Sequence, residues 1–312
     1  MSVQPQSAPP ARVAILGAGA MGTLFAYALA EHNAVTLVDV RGDVVETIAR
    51  QGVTLDGLPP RRVEATRDPA RVFATNFLFV FVKAPNTLHA VRPFAGQLNP
   101  ATPIVSLQNG LGNEEAIKAA LGGNVPLVIG ITNEQSLAIG HGHSRRLGVG
   151  TTVVGSAGAS TETVRSVHQL LTQAGIRCSI AYDIRPHLWG KLVANAAINP
   201  ISALIDTHNS VIANDPSACE LARAVAYESA AVAKALRINL PFRDAWEYVR
   251  GVIAASVDSR NSMTVDLNAR RKTEIDHVNG AIVAAGRRVG VPTPYNEALL
   301  HLVKAIENAP RD

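Results

Sequence analysis

The sequence predicts an α/β protein: an N-terminal doubly wound sheet followed by an all-helical C-terminal domain. Three observations predict it. Short aliphatic runs alternate with helical segments through the first part of the chain, as they do in doubly wound sheets. From about residue 184 the pattern changes to long Ala-rich helices, and Val/Thr strand runs disappear. At 312 residues the chain is long enough to favour two domains over one. The expected divisions are a loose, Pro-rich tail over residues 1–11, the α/β domain over 12–183 and the helical domain over 184–312.

Composition narrows the function classes. Hydrophobic residues make up 47% of the chain and aromatics 4%, so the core must be aliphatic. Few rings also argue against a nucleic-acid surface built on stacking. The net charge of +4 is spread without a basic run and suits a small anionic ligand better than a polyanion. Cys178 and Cys219 have neither metal-ligand spacing nor the number for a disulfide framework, which points to a reducing cytoplasm and no metal site. Residues 13–30 carry no charge and mimic a secretory signal, but three glycines inside that run have a better explanation. No other segment approaches the roughly 20 apolar residues of a membrane span.

Residues 12–16 read as a buried strand. It runs into Gly17-Ala18-Gly19-Ala20-Met21-Gly22, a G-x-G-x-x-G loop, and residues 23–31 read as a helix. Residues 34–39 then form a second strand that ends in Asp39. Gly17 permits the tight turn, Gly19 lets backbone approach a pyrophosphate, and Gly22 lets helix and strand pack closely. The helix N-terminus adds N–H groups and the positive end of its dipole. The hexapeptide alone is weak; a strand before it, a helix after it and an acidic strand end about 20 residues on make a Rossmann-type dinucleotide site. Asp39 favours NAD by taking both ribose hydroxyls, whereas Arg41 favours NADP by holding its 2′-phosphate. The residues alone leave the two cofactors in balance.

Residues 43–52 read as a helix capped by Gly52. The run Phe77-Leu78-Phe79-Val80-Phe81-Val82 is typical of a buried parallel strand, and Lys83 follows it. Residues 104–107 and 125–130 are further strands, with Asn109 just beyond the first. Strand carboxyl ends are where such sheets bind ligands, which places Lys83 and Asn109 on the functional edge. Each also has a bland reading, as a solvated strand-end lysine or a turn asparagine before glycine. Residues 146–156 and 176–181 look like strands that extend the sheet.

Lys191, Asn195 and Asn199 stand at i, i+4 and i+8 and share one helical face. Trp189, Leu192, Val193, Ala196 and Ile198 occupy the rest, so the helix reads as buried. Its polar groups must then meet partners, water or a ligand, and burial lowers a lysine's pKa toward that of a useful proton donor. A solvent-facing stripe would more usually use Glu, Gln and Lys. Farther on, Ser262, Glu274 and Asn279 could reach one cleft. Thr273-Glu274-Ile275-Asp276 reads as opening a helix that continues through Val278, Ile282 and Val283. On that reading the two carboxylates stabilise a helix start.

Taken together, these residues resemble the ketopantoate reductase (2-dehydropantoate 2-reductase) family. The matching pieces are the glycine loop, Val82-Lys83-Ala84, Leu107-Gln108-Asn109-Gly110-Leu111-Gly112, Lys191-x-x-x-Asn195-x-x-x-Asn199-Pro200, Ser262-Met263-x-x-Asp266, Thr273-Glu274-Ile275-Asp276-x-x-Asn279-Gly280 and Gly290-Val291-x-Thr293-Pro294-x-Asn296. The resemblance implies NADPH-dependent reduction of ketopantoate to pantoate, on the way to pantothenate and coenzyme A. It implies that Lys191 is the general acid at the C2 oxygen and that Glu274 binds substrate and orients the site, which reverses the bland reading of Glu274. By the same resemblance Asn195, Asn199 and Ser262 hold substrate hydroxyl and carboxylate groups. Asn109 and Lys83 line the junction of cofactor and substrate. Gly17, Gly19, Ala20, Met21, Gly22 and Arg41 hold the cofactor, and the active site is the cleft between domains. The chain departs from the family where Ile131-Thr132-Asn133-Glu134 replaces a Thr-Thr pair, at Arg270 where glycine is common, and where Asp39-Val40 intervene before Arg41. Asp39 keeps NAD open, and a sibling reductase of another branched 2-oxo acid would share every motif. A redox sensor binding NADP without turnover would keep the loop but need no lysine in the cleft. The Ala-rich helices serve a domain core or pair two copies, so a homodimer also stays open; neither nucleic acid nor membrane is expected as a partner.

Overall fold

The computed structural model describes residues 10–309; residues 1–9, most of the expected tail, lie outside the described residues. The chain forms two units. One comprises the chain up to Gln108 together with Asn113–Ile184. The other comprises Asn109–Gly112 and everything from Arg185 onward.

The strands are β1 (Arg12–Leu16), β2 (Ala34–Val38), β3 (Thr54–Leu55), β4 (Glu64–Thr66), β5 (Phe77–Val80), β6 (Ile104–Ser106), β7 (Leu127–Thr132), β8 (Gln135–Gly140), β9 (His143–Gly148), β10 (Thr152–Ser156) and β11 (Cys178–Ile180). The helices of this unit are α1 (Ala20–Leu29), α2 (Gly42–Gln51), α3 (Thr87–Val91), α4 (Asn113–Leu121) and α5 (Thr161–Gln173). Eight strands form one sheet in the order β11-β10-β7-β6-β5-β1-β2-β4. From β7 to β4 the pairs are parallel, with Leu16 of β1 opposite Val38 of β2 and Val80 of β5. The chain leaves β1 toward β2 on one side and later fills β5 on the other. The carboxyl ends of β1 and β5 are therefore the switch point where doubly wound sheets bind ligands. The core is aliphatic with a few phenylalanines: Ile15, Leu24, Leu37, Phe25 and Phe79 are at most 1% exposed.

Residues 146–156 do not form a single strand extending the main sheet. Only β10 joins it, antiparallel to β7. Residues 146–148 belong to β9, in a separate three-stranded sheet ordered β3-β9-β8. The reason is a hairpin turning at Gly142, which takes the left-handed region at φ 67°. The Ser136 and Ser144 hydroxyls of that hairpin donate to the Ala20 carbonyl at 3.3 and 3.1 Å.

The second unit is helical: α6 (Arg185–Leu204), α7 (Val211–Asn214), α8 (Pro216–Ala235), α9 (Ala245–Ala254), α10 (Ser262–Asn268), α11 (Asn279–Val289) and α12 (Pro294–Asn308). Fully buried alanines on α6 and α8, among them Ala196, Ala197, Ala222, Ala226 and Ala233, let these helices pack closely. Asp215, Asp244 and Asn261 start α8, α9 and α10 by accepting backbone N–H bonds. The helix expected to run from Thr273 through Val283 is instead split. A 3-10 turn covers Ile275–His277, Val278 takes φ −107° and ψ −92°, and α11 begins only at Asn279. Among the described residues, no helix is long and apolar enough to cross a membrane.

Candidate functional site

The polar groups fall into one set in each unit. In the first unit, β1 delivers the chain into Gly17, whose φ of +98° suits glycine. A Cβ on Gly22 would lie 1.8 Å from the Gly17 carbonyl oxygen, so only glycine lets α1 begin this close to β1. Among the described residues, a Cβ on Gly19 would meet nothing within 4 Å, so they leave space open above the loop. No side chain caps α1, which leaves Ala20 and Met21 to present its first turn at that space. An uncapped helix start beside open space fits a phosphate group.

Asp39, just beyond β2, has both carboxylate oxygens engaged. Oδ2 accepts from Ala18 N at 2.8 Å and from Arg41 Nη2 at 2.9 Å. Oδ1 accepts from Arg41 N at 3.0 Å and Nε at 2.9 Å. Burial alone would raise the pKa of Asp39; the Arg41 guanidinium and the two backbone N–H groups outweigh it and hold the carboxyl below its usual range. Asp39 thus ties the glycine loop to Arg41, whose side chain remains 53% exposed. A second guanidinium, that of Arg67 beyond β4, lies beside the start of α2: Nη1 is 3.7 Å from where a Gly42 Cβ would stand. Sequence reasoning missed Arg67, because nothing in the chain links it to Gly42 except the pairing of β2 with β4. Lys83 is part-buried just past β5. Its neighbourhood is fixed by Gln108, whose Nε2 donates to the Val82 carbonyl at 2.6 Å and to Thr87 Oγ1 at 2.8 Å.

The second unit gathers Asn109, Asn195, Asn199, Ser262 and Glu274 around one cavity, with Met263 and Val278 as its apolar lining. Each arrives by a different local device. On α6, residues 192–194 and 196–198 are buried, whereas Lys191, Asn195 and Asn199 are part-exposed on their shared face. Asn109 comes in on a segment that docks against His277. Leu111 N donates to the His277 carbonyl at 2.9 Å, and a Cβ on Gly110 would lie 2.5 Å from that same oxygen. Asn261 caps α10 through its own side chain, which leaves the exposed Ser262 hydroxyl outside the cap. Glu274 follows Thr273, which donates to Glu307 Oε1 through N and Oγ1, both at 2.7 Å.

The helix-start reading of the two carboxylates fails, because α11 begins five residues after Glu274. Asp276 instead accepts from Lys304 Nζ at 2.7 Å. Glu274 is thereby left to face the cavity. Asp266 also lines it, with Oδ1 accepting from Arg271 Nε and Nη2 at 3.1 and 2.9 Å. Sequence reasoning names Asp266 in the Ser262-Met263-x-x-Asp266 motif but gives it no role, although its i+4 spacing from Ser262 puts both on one face of α10. Asn279 is not among the residues lining the cavity; it is fully buried.

Lys191 stands one turn before Asn195. Part of its side chain reaches the surface, yet its ammonium is surrounded. Burial pulls its pKa down to about 8, against the upward pull of the Glu274 carboxylate. A cavity that joins three amides and a hydroxyl to the carboxylates of Glu274 and Arg271-paired Asp266, with an ammonium of lowered pKa one turn from Asn195, can bind a small polar molecule and protonate an oxygen on it.

The chain is similar to known proteins over nearly its whole length. Residues 13–159 match the family model described as ketopantoate reductase PanE/ApbA, and residues 183–307 match the model of that family's C-terminal part. A 2-dehydropantoate 2-reductase from Pyrobaculum aerophilum is 36% identical over 94% of this chain and 97% of its own. One from Archaeoglobus fulgidus is 34% identical over 95% and 98%. The crystal structure of a PanE/ApbA-family ketopantoate reductase from Ralstonia eutropha matches with a TM-score of 0.87 at 28% identity, over 95% of this chain and 98% of that one.

Proposed function

The chain belongs to the ketopantoate reductase family and is an oxidoreductase; on that footing we propose that it reduces 2-dehydropantoate to pantoate, with NADPH as reductant and Lys191 as general acid. When bound, the reduced nicotinamide cofactor supplies hydride to the C2 carbonyl carbon. We assign it to the glycine loop of the α/β unit, on Gly17, Gly19, Ala20, Met21 and Gly22, with Lys83 at the β5 end. We assign the substrate to the helical unit together with Asn109.

The observation that carries the reading is Lys191. Burial lowers its pKa to about 8 against the pull of Glu274, and it stands one turn before Asn195 and two before Asn199. Alkoxide character developing on the C2 oxygen draws the Lys191 proton, and the ammonium stabilises that charge before giving the proton up. Glu274 keeps Lys191 protonated against the cost of burial and orients it. The amides of Asn109, Asn195 and Asn199 and the Ser262 hydroxyl can donate to the substrate carboxylate and accept from or donate to its hydroxyl.

NADPH is preferred to NADH in this reading because Asp39 is already engaged by Ala18 and Arg41. Its oxygens are not offered to ribose hydroxyls. Arg41, with Arg67 beside Gly42, offers cationic ground for a 2′-phosphate instead. A reducing cytoplasm fits the two free thiols, Cys178 and Cys219.

Steady-state kinetics on a panel of 2-oxo acids with both cofactors test this. The expected result is the highest kcat/KM for ketopantoate with NADPH. A higher kcat/KM for another branched 2-oxo acid would overturn the substrate assignment, and one higher with NADH would overturn the cofactor assignment.

A further inference from the structure

Pro200 lies inside α6. A proline has no N–H, so the Ala196 carbonyl, four residues earlier, lacks its usual intrahelical donor. The side chain of Asn279 meets it instead: Nδ2 donates to Ala196 O at 3.2 Å. The same Nδ2 donates to Asn296 Oδ1 at 3.1 Å, and Asn296 Nδ2 donates to Glu228 Oε2 at 2.9 Å. Glu228 is held in turn by the Tyr295 and Asn296 N–H groups at the start of α12, at 2.9 and 3.0 Å. An ionised carboxylate only accepts, so it fixes the direction of every bond back to α6. Neither amide can flip without placing oxygen against oxygen.

Asn279 and Asn296 are both fully buried. Asn279 Oδ1 has no hydrogen-bond partner among the described residues. A buried acceptor left unsatisfied is costly, and a leucine of similar size would avoid that cost. The donor half of the amide must therefore matter. Its place suggests why. Asn279 follows Val278, which lines the cavity, and lies five residues after Glu274, while its partner Ala196 is flanked by Asn195 on α6.

We propose that Asn279, oriented by Asn296 and Glu228, is a positioning residue that pins the proline-interrupted turn of α6 to the segment bearing Glu274, and so sets the spacing of Lys191, Asn195 and Asn199 against that carboxylate. Asn279 touches no reacting atom. Its catalytic consequence rests on the reading of Lys191 and Glu274 given above; the hydrogen-bond linkage itself does not.

The test is a double-mutant cycle with Asn279→Leu and Pro200→Ala. Alanine at position 200 supplies the N–H that Ala196 lacks, so it should make Asn279 dispensable. Asn279→Leu alone is expected to lower kcat/KM for ketopantoate by about tenfold or more and to lower the melting temperature. It should leave NADPH affinity, read by nucleotide fluorescence, within about twofold, which general loosening would not. In the Pro200→Ala background the same substitution should cost about threefold or less, with a smaller loss of melting temperature. Equal losses in both backgrounds overturn the proposal, as does a parallel loss of NADPH affinity. Should Asn279→Leu fail to fold, recovery of folded protein in the double variant supports it, and failure of both overturns it. The melting-temperature cycle needs no substrate, so it still decides the linkage if ketopantoate proves not to be reduced.

Discussion

The two polar sets solve opposite problems. Around the glycine loop, charge is settled at home: buried Asp39 is closed by Arg41 and Ala18, and buried Glu134 is closed by Arg146 Nε and Nη2 at 2.8 and 2.6 Å. What remains open there is space and backbone, above Gly19 and at the start of α1. In the helical unit, side chains hold the tension. Lys191 is desolvated with a depressed pKa, and among the described residues Asn279 keeps a buried oxygen without a partner. A nucleotide phosphate brings its own full charge, so a rigid, neutralised cradle with open N–H groups suffices for it. A proton donor must instead be kept close to losing its proton, and that costs stability where it is placed.

The largest effect should come from the cradle's geometry. Gly22→Ala puts a Cβ against the Gly17 carbonyl, so NADPH affinity, read by fluorescence titration, should fall about 100-fold or more. A smaller change would mean that α1 can shift without harming the cradle. Arg41→Ala should weaken NADPH binding by about tenfold and leave NADH binding nearly unchanged, because only NADPH carries the 2′-phosphate. Equal weakening of both cofactors would make Arg41 a support for Asp39 rather than a phosphate ligand.

The smallest effect is on stability and has the opposite sign from most core substitutions. The folded-state pKa of Lys191, about 8, lies below its usual 10.5. Between those values the unfolded chain binds more protons than the folded one, so stability rises with pH across that window. Below about 8 the penalty is present in full. Lys191→Met should therefore raise the melting temperature by a few degrees at pH 7, and the gain should shrink above pH 10. A lower melting temperature at pH 7 would show that the Glu274 pairing outweighs burial.

Both sets were legible where the sequence signal is local. The glycine loop, β2 and Asp39 lie within one short βαβ unit, where spacing maps directly onto geometry. The face shared by Lys191, Asn195 and Asn199 was equally legible, because helical periodicity is local. What escaped was set by tertiary pairing. Arg67 reaches Gly42 only because β4 pairs with β2. The β8–β9 hairpin escaped because Ser144 alone among its strand residues is buried, so no apolar run marks it. Glu274 was read into a helix start because a 3-10 turn and the break at Val278 have no strong local signal; the resemblance, not periodicity, assigned it to the site. Pro200 is visible in the sequence, but Asn279, which donates to the Ala196 carbonyl that Pro200 leaves open, lies 83 positions from Ala196.

The most direct measurement is single-turnover reduction of ketopantoate by NADPH-loaded enzyme, wild type against Lys191→Ala, across pH 6 to 10. With Lys191 as general acid, the wild-type rate falls as pH rises through about 8. The variant should then lose about 100-fold or more below that pH and show no such limb. A variant within a few-fold of wild type at pH 7, or one that retains the same pH limb, would contradict the assignment.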